Sequence, residues 1–168
     1  DLAPVMNVLS IDRPTQYFEV NRMDDSLLRK AGWQPPLLLK LKAADGKTDL
    51  YGLMYLPSQL DKNKKYPIIS NVYPGPQDDQ IPQSFTLDDN GNQSLAELGF
   101  IVINVAPRGS SPLRGHDFYN FGYGNLRDYP LADDKSVIEQ LAKNYPFIDL
   151  NRVGIYGHSG GAFQTVAA

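Results

Sequence analysis

The segment Val153-Gly154-Ile155-Tyr156-Gly157-His158-Ser159-Gly160-Gly161-Ala162-Phe163 holds the residue types and spacing with which this chain could do chemistry. It contains the pattern G-x-S-x-G, which a chain of this glycine and serine content would produce by accident roughly 0.07 times. An apolar run leads into the pattern, and small or helix-compatible residues from Gly160 to Ala168 follow it, so the serine sits at a strand–turn–helix junction. That is the context of a nucleophile elbow, in which a strained turn lifts a serine hydroxyl above a sheet. Gly157 and Gly161 are then its structural residues, because neighbouring backbone passes too close for a Cβ. Ser159 becomes the nucleophile for acyl transfer. The N–H of Gly160, at a helix N-terminus where partial positive charge collects, faces the developing oxyanion. The competing reading of the same glycines is a phosphate-type or purely structural turn.

Other polar residues read more plainly. His158 adjoins the serine but ends a strand, so its ring is expected to point away from Ser159 Oγ and to pack or support the turn rather than act as base. His116, in the stretch from Gly109 to Tyr119, reads as a loop or surface residue. The pairs Asp78/Asp79 and Asp88/Asp89 read as solvated loops, and Asp133/Asp134 as a charge pair at a helix N-terminus. No metal-ligand spacing is visible, so neither a metal nor another cofactor is expected. With 16 Lys and Arg against 19 Asp and Glu the formal charge is −3, which argues against nucleic acid or an anionic membrane as partner. Zero cysteines exclude a disulfide framework, a zinc–thiolate site and a cysteine nucleophile.

The elements that must position the serine follow from apolar patterning. Leu37-Leu38-Leu39-Lys40-Leu41 and Leu50-Tyr51-Gly52-Leu53-Met54-Tyr55 flank Ala44-Asp45-Gly46-Lys47, which predicts an antiparallel pair joined by an Asp-Gly turn. Three short apolar runs, Pro67 to Val72, Phe100 to Val105 and Val153 to Tyr156, suit strands of a parallel sheet buried on both faces. Helices are predicted from Asn92 to Leu98, closed by Gly99, and from Pro130 to about Asn144, with Val137, Ile138, Leu141, Ala142 and Tyr145 on one face. The alternation predicts an α/β sheet with crossover helices. Residues 1–36 read as connection with one strand at Tyr17 to Val20. The longest apolar stretch, Phe100 to Ala106, falls far short of the ~20 residues a membrane span needs. Asn92-Gln93-Ser94 is a weak match to an N-glycosylation signal.

Three spaced motifs now stand in order: Tyr66-Pro67-Ile68-Ile69-Ser70-Asn71-Val72-Tyr73-Pro74-Gly75-Pro76, then Arg108-Gly109-Ser110, then Asp149-Leu150-Asn151-Arg152 running into the elbow. Together they resemble the catalytic domain of the prolyl oligopeptidase family of serine peptidases, in its dipeptidyl peptidase IV-like branch. The resemblance covers about residues 37–168 and implies the N-terminal part of an α/β-hydrolase catalytic domain, cut after the elbow. Residues 1–36 are similar to the exit from a β-propeller. Carried over by position, the resemblance makes Ser159 the acylated nucleophile, Gly160 N–H one oxyanion donor and the Tyr73 phenol the second. The chemistry is sensible, since Tyr73 closes an apolar strand at the edge where α/β sheets bind ligands; a buried core tyrosine is the alternative. Gly160 stands where that branch often carries an aromatic residue, and Ala162 replaces a frequent third glycine; both departures bear on substrate preference.

The resemblance implies a peptide substrate cleaved after a penultimate proline or alanine, a homodimer as an option for the full-length form, and export from the cytoplasm. An esterase on the same fold and a non-catalytic, hydrolase-like binding domain are the other readings. In this fold the triad runs Ser, then Asp or Glu, then His, yet residues 160–168 contain none of the three. The expectation is therefore a fragment whose partners are the missing propeller and the C-terminal remainder of the same protein. Alone it should be nearly inert, since losing the base costs on the order of 10⁶ in turnover in a serine protease. It should also leave an unpaired sheet edge.

Overall fold

A computed structural model describes residues 3–75, 81–82 and 84–168. Its centre is a five-stranded mixed sheet made of β3 (Leu37–Lys42), β4 (Asp49–Tyr55), β5 (Tyr66–Asn71), β6 (Ile101–Ala106) and β7 (Ile148–Tyr156), in the order β3-β4-β6-β5-β7. The expected antiparallel pair is present, with Leu37 opposite Met54 and Lys42 opposite Asp49. Its turn is held by Asp45, whose carboxylate accepts the Lys47 and Thr48 N–H groups at 2.8 Å each. Gly46 there has φ of 68°, the left-handed conformation for which Asp-Gly is suited. β5 runs parallel to both β6 and β7, whereas β6 meets β4 antiparallel, so the hairpin and the parallel strands form one sheet rather than two.

Side-chain alternation divides the core into two layers. Ile101 and Ile103 of β6 join Leu50, Met54 and Ile68 against Val137, Ile138 and Leu141 of α4 (Leu131–Asn144). Val102, one residue out of phase, packs with Leu53, Tyr55 and Ala96 of α2 (Asn92–Glu97) on the opposite face. β6 is thus buried on both sides, as its uninterrupted apolar run requires. α2 closes as predicted, with Gly99 at φ of 97° donating its N–H to Ala96 O at 2.9 Å.

Three expectations are corrected. The N-terminal segment carries a second strand: β1 (Val5–Leu9) pairs antiparallel with β2 (Tyr17–Arg22), followed by the short helix α1 (Ser26–Lys30). Asn92 is fully buried, its Oδ1 accepting from Asn71 Nδ2 at 2.8 Å and from the Tyr156 hydroxyl at 2.9 Å, so the glycosylation match is inaccessible in the folded chain.

The pair Asp88/Asp89 is the third, since both carboxylates hold structure. Asp88 caps α2 by accepting the Gln93 and Ser94 N–H groups at 2.8 and 3.1 Å. Asp89 accepts the Tyr55 hydroxyl at 3.0 Å. Asp133 and Asp134 do stand in the first turn of α4, as the sequence predicts, with Asp133 wholly buried and Asp134 hydrogen-bonded to Ser70. Asp78 and Asp79 lie outside the described residues.

Candidate active site

β7 runs into Gly157 and His158, and α5 (Gly160–Ala167) begins one residue after Ser159. Ser159 has φ of 53° and ψ of −113°, a conformation an L-residue holds only when its surroundings force it. The force is steric. A Cβ on Gly157 or on Gly161 would overlap the carbonyl oxygen of Val72, so only glycine lets the turn close against the end of β5. The Val72 N–H in turn donates to Tyr156 O at 2.9 Å, extending the β5–β7 ladder up to the elbow. The Gly161 N–H donates to His158 O at 2.8 Å and the Phe163 N–H to Ser159 O at 3.1 Å, fixing the first turn of α5.

This geometry brings Tyr73 and Gly160 to the serine's turn. Tyr73 directly follows the anchored Val72, its Cα 3.6 Å from where a Gly161 Cβ would stand, and Pro74 Cδ lies 4.0 Å from the corresponding point on Gly160. The Tyr73–Pro74 loop therefore lies over the start of α5, whose first N–H groups have no acceptor within the helix. Ser159 is exposed. Among the described residues no acid or base contacts its hydroxyl.

His158 does not pack. It is exposed, its ring makes no hydrogen bond among the described residues, and it supports the turn through its carbonyl alone. The reason is that β7 ends at Tyr156, leaving residue 158 on the outside of the turn. His116 is exposed as expected, but opens the short helix α3 (His116–Tyr119), with the Asn120 amide 2.7 Å from its Nε2.

Behind the loop stands a polar tether that sequence reasoning missed. Asp133 accepts from Arg108 Nε at 2.9 Å and from its terminal nitrogen at 2.7 Å, and also accepts the Ala44 N–H at 2.9 Å. One buried carboxylate thus ties α4 to the end of β6 and to the β3–β4 turn. The second Arg108 terminal nitrogen reaches Asp45 at 3.1 Å. Asp134 accepts the Ser70 hydroxyl at 2.6 Å; burial pushes its carboxyl up to about 6, against the opposing pull of that hydrogen bond. The signals available were an Arg-Gly step at the end of an apolar strand and an Asp-Asp pair opening a helix, neither of which names its partner.

Comparison with known proteins meets this geometry at the elbow. The profile described as the prolyl oligopeptidase family matches residues 86–168. Human dipeptidyl peptidase 8 is 34% identical over 137 residues, which is 81% of this chain and 15% of that protein. The chain belongs to the prolyl oligopeptidase family. Among solved structures, a candidate dipeptidyl aminopeptidase IV from Bacteroides ovatus is 30% identical with a TM-score of 0.68, over 97% of this chain and 23% of that one. Dipeptidyl peptidase 4 from Porphyromonas gingivalis shares the fold with a TM-score of 0.76 at 23% identity, over 98% of this chain and 23% of that one. The sheet and elbow are thus part of an α/β-hydrolase domain, and the chain spans less than a quarter of each of these three proteins.

Proposed function

We propose that this chain forms the N-terminal part of the catalytic domain of a serine peptidase of dipeptidyl peptidase IV type, and that it acts only together with further polypeptide. The observation that carries the reading is the forced φ/ψ of Ser159, held by two glycines against the Val72 carbonyl. Ser159 Oγ attacks the substrate carbonyl while a base on polypeptide outside residues 1–168 takes its proton. The tetrahedral oxyanion is held by the Gly160 N–H and the Tyr73 hydroxyl. Collapse breaks the peptide C–N bond, the amine leaves with the proton, and water then hydrolyses the acyl ester. In this reading residues 1–36 are the exit from a propeller domain and residues 37–168 the start of the hydrolase domain. Substrate preference is for peptides with proline or alanine in the second position.

The test is product analysis by mass spectrometry of the full-length polypeptide with Gly-Pro- and Ala-Ala-led peptides alongside a short-chain p-nitrophenyl ester. Release of an N-terminal dipeptide, lost in Ser159→Ala, is the expected result. Ester hydrolysis without peptide cleavage would replace the peptidase with an esterase, and turnover of neither would leave a binding domain.

A further inference from the structure

Tyr73 sits between two anchored neighbours. The anchor on one side is Val72, through the β5–β7 ladder and the elbow glycines. The anchor on the other is Pro74, whose carbonyl oxygen accepts the hydroxyl of Tyr129 at 2.9 Å, a contact spanning 55 residues of sequence. Proline has no N–H, so Pro74 can be held through its backbone only at this oxygen. Tyr129 itself is buried, and its ring lies against Gly109 and Gly122 so closely that a Cβ on either would come within 2.6 and 2.5 Å of ring carbons. The edge of Phe121 meets it, with ring centroids 6.3 Å apart at 70°. Arg108 lies 3.9 Å over the centre of Phe121 and is gripped by the buried Asp133. A continuous series of contacts therefore runs from Asp133 through Arg108, the half-exposed Phe121 and the buried Tyr129 to Pro74.

We propose that Tyr129 is a positioning residue for the oxyanion donor: by holding the Pro74 carbonyl it sets where the Tyr73 phenol stands when the transition state forms. This rests on the reading of Tyr73 given above. A donor of an oxyanion hole is effective only if its place is fixed before charge develops, because reorganisation at that moment forfeits much of the stabilisation. Burial pushes the Tyr129 phenol up to about 12, so it remains a neutral donor across the working pH range.

The experiment uses the full-length polypeptide and Gly-Pro-p-nitroanilide, with active sites counted by fluorophosphonate titration so that misfolded protein does not enter kcat. The second-order rate of fluorophosphonate labelling is a parallel readout at the same serine. Tyr73→Phe is expected to lower kcat on the order of 100-fold, the scale of one lost oxyanion donor. Tyr129→Phe, which keeps the ring and removes only the hydroxyl, is expected to lower kcat about tenfold with KM within about twofold, as a misplaced donor does. In the Tyr73→Phe background the same change should have almost no further effect, since the group it positions is gone. An unchanged kcat in Tyr129→Phe, or losses that multiply in the double variant, would overturn the positioning role while leaving Tyr73 as donor. No loss in Tyr73→Phe would overturn the oxyanion reading, and this inference with it.

Discussion

The elbow and the N-terminal hairpin are opposite ways of using a strand end. At the elbow the backbone is hemmed in by close neighbours: Val72 O against Gly157 and Gly161, and a β5–β7 ladder carried one residue past the strand. In β1–β2 the side chains of Met6, Val8, Phe18 and Tyr17 are all 60% exposed or more, and the pairing shifts register between Met6 and Asn7. Among the described residues its close ion pair, Arg22 with Glu19 at 2.7 Å, lies in water. The difference shows where precision is needed. The turn at Ser159 is built from close packing, whereas a hairpin held by its ladder alone is marginal in water.

Four substitutions would sharpen or break that contrast. The largest loss is expected for Asp133→Ala, which leaves the Arg108 guanidinium with Asp45 as its remaining carboxylate partner; denaturant unfolding should show about 3 kcal/mol, the lower end of the scale for breaking a buried pair. A loss under about 1 kcal/mol would mean that water reaches Arg108. Next comes Gly161→Ala, whose methyl has to displace the Val72 carbonyl; about 1–3 kcal/mol is expected by the same measurement, together with loss of fluorophosphonate reactivity at Ser159.

Asp134→Asn acts through pH. A carboxyl raised from 3.8 to about 6 on folding binds its proton more tightly in the native state, so its protonated form favours the fold at low pH. That contribution fades as pH climbs from about 4 to about 6, costing about 3 kcal/mol above that window. The asparagine variant should lack this slope in unfolding midpoints between pH 4 and 7. A slope that persists would assign it elsewhere. The smallest effect belongs to Phe18→Ser in the hairpin, where a change below about 0.5 kcal/mol is expected for the 168-residue chain. A larger loss in the full-length polypeptide would show that a partner there covers β2.

Much of this organisation was legible in the sequence because it rests on local rules. Asp45-Gly46 fixed a hairpin turn, the 3.6-residue spacing of Val137, Ile138 and Leu141 marked the buried face of α4, and Gly157 with Gly161 bracketed the serine. What was not legible depends on partners far away in the chain. Asp133 looks like any acidic residue in a first helical turn until Arg108 and Ala44 are brought to it. Asn92 looks like an acceptor for modification until Asn71 and Tyr156 close over it. β1 was missed because its alternation is short and its side chains face water on both sides, so no burial pattern marks it.

The central claim, that Ser159 is an acylating nucleophile completed by polypeptide beyond this chain, is tested most directly by intact-mass detection of fluorophosphonate labelling. The full-length polypeptide, the 168-residue chain and the Ser159→Ala variant would be compared. The account predicts a single adduct at Ser159 in the full-length protein, none in the chain alone and none in the variant. Absence of label from the full-length protein, or label that survives Ser159→Ala, would contradict it.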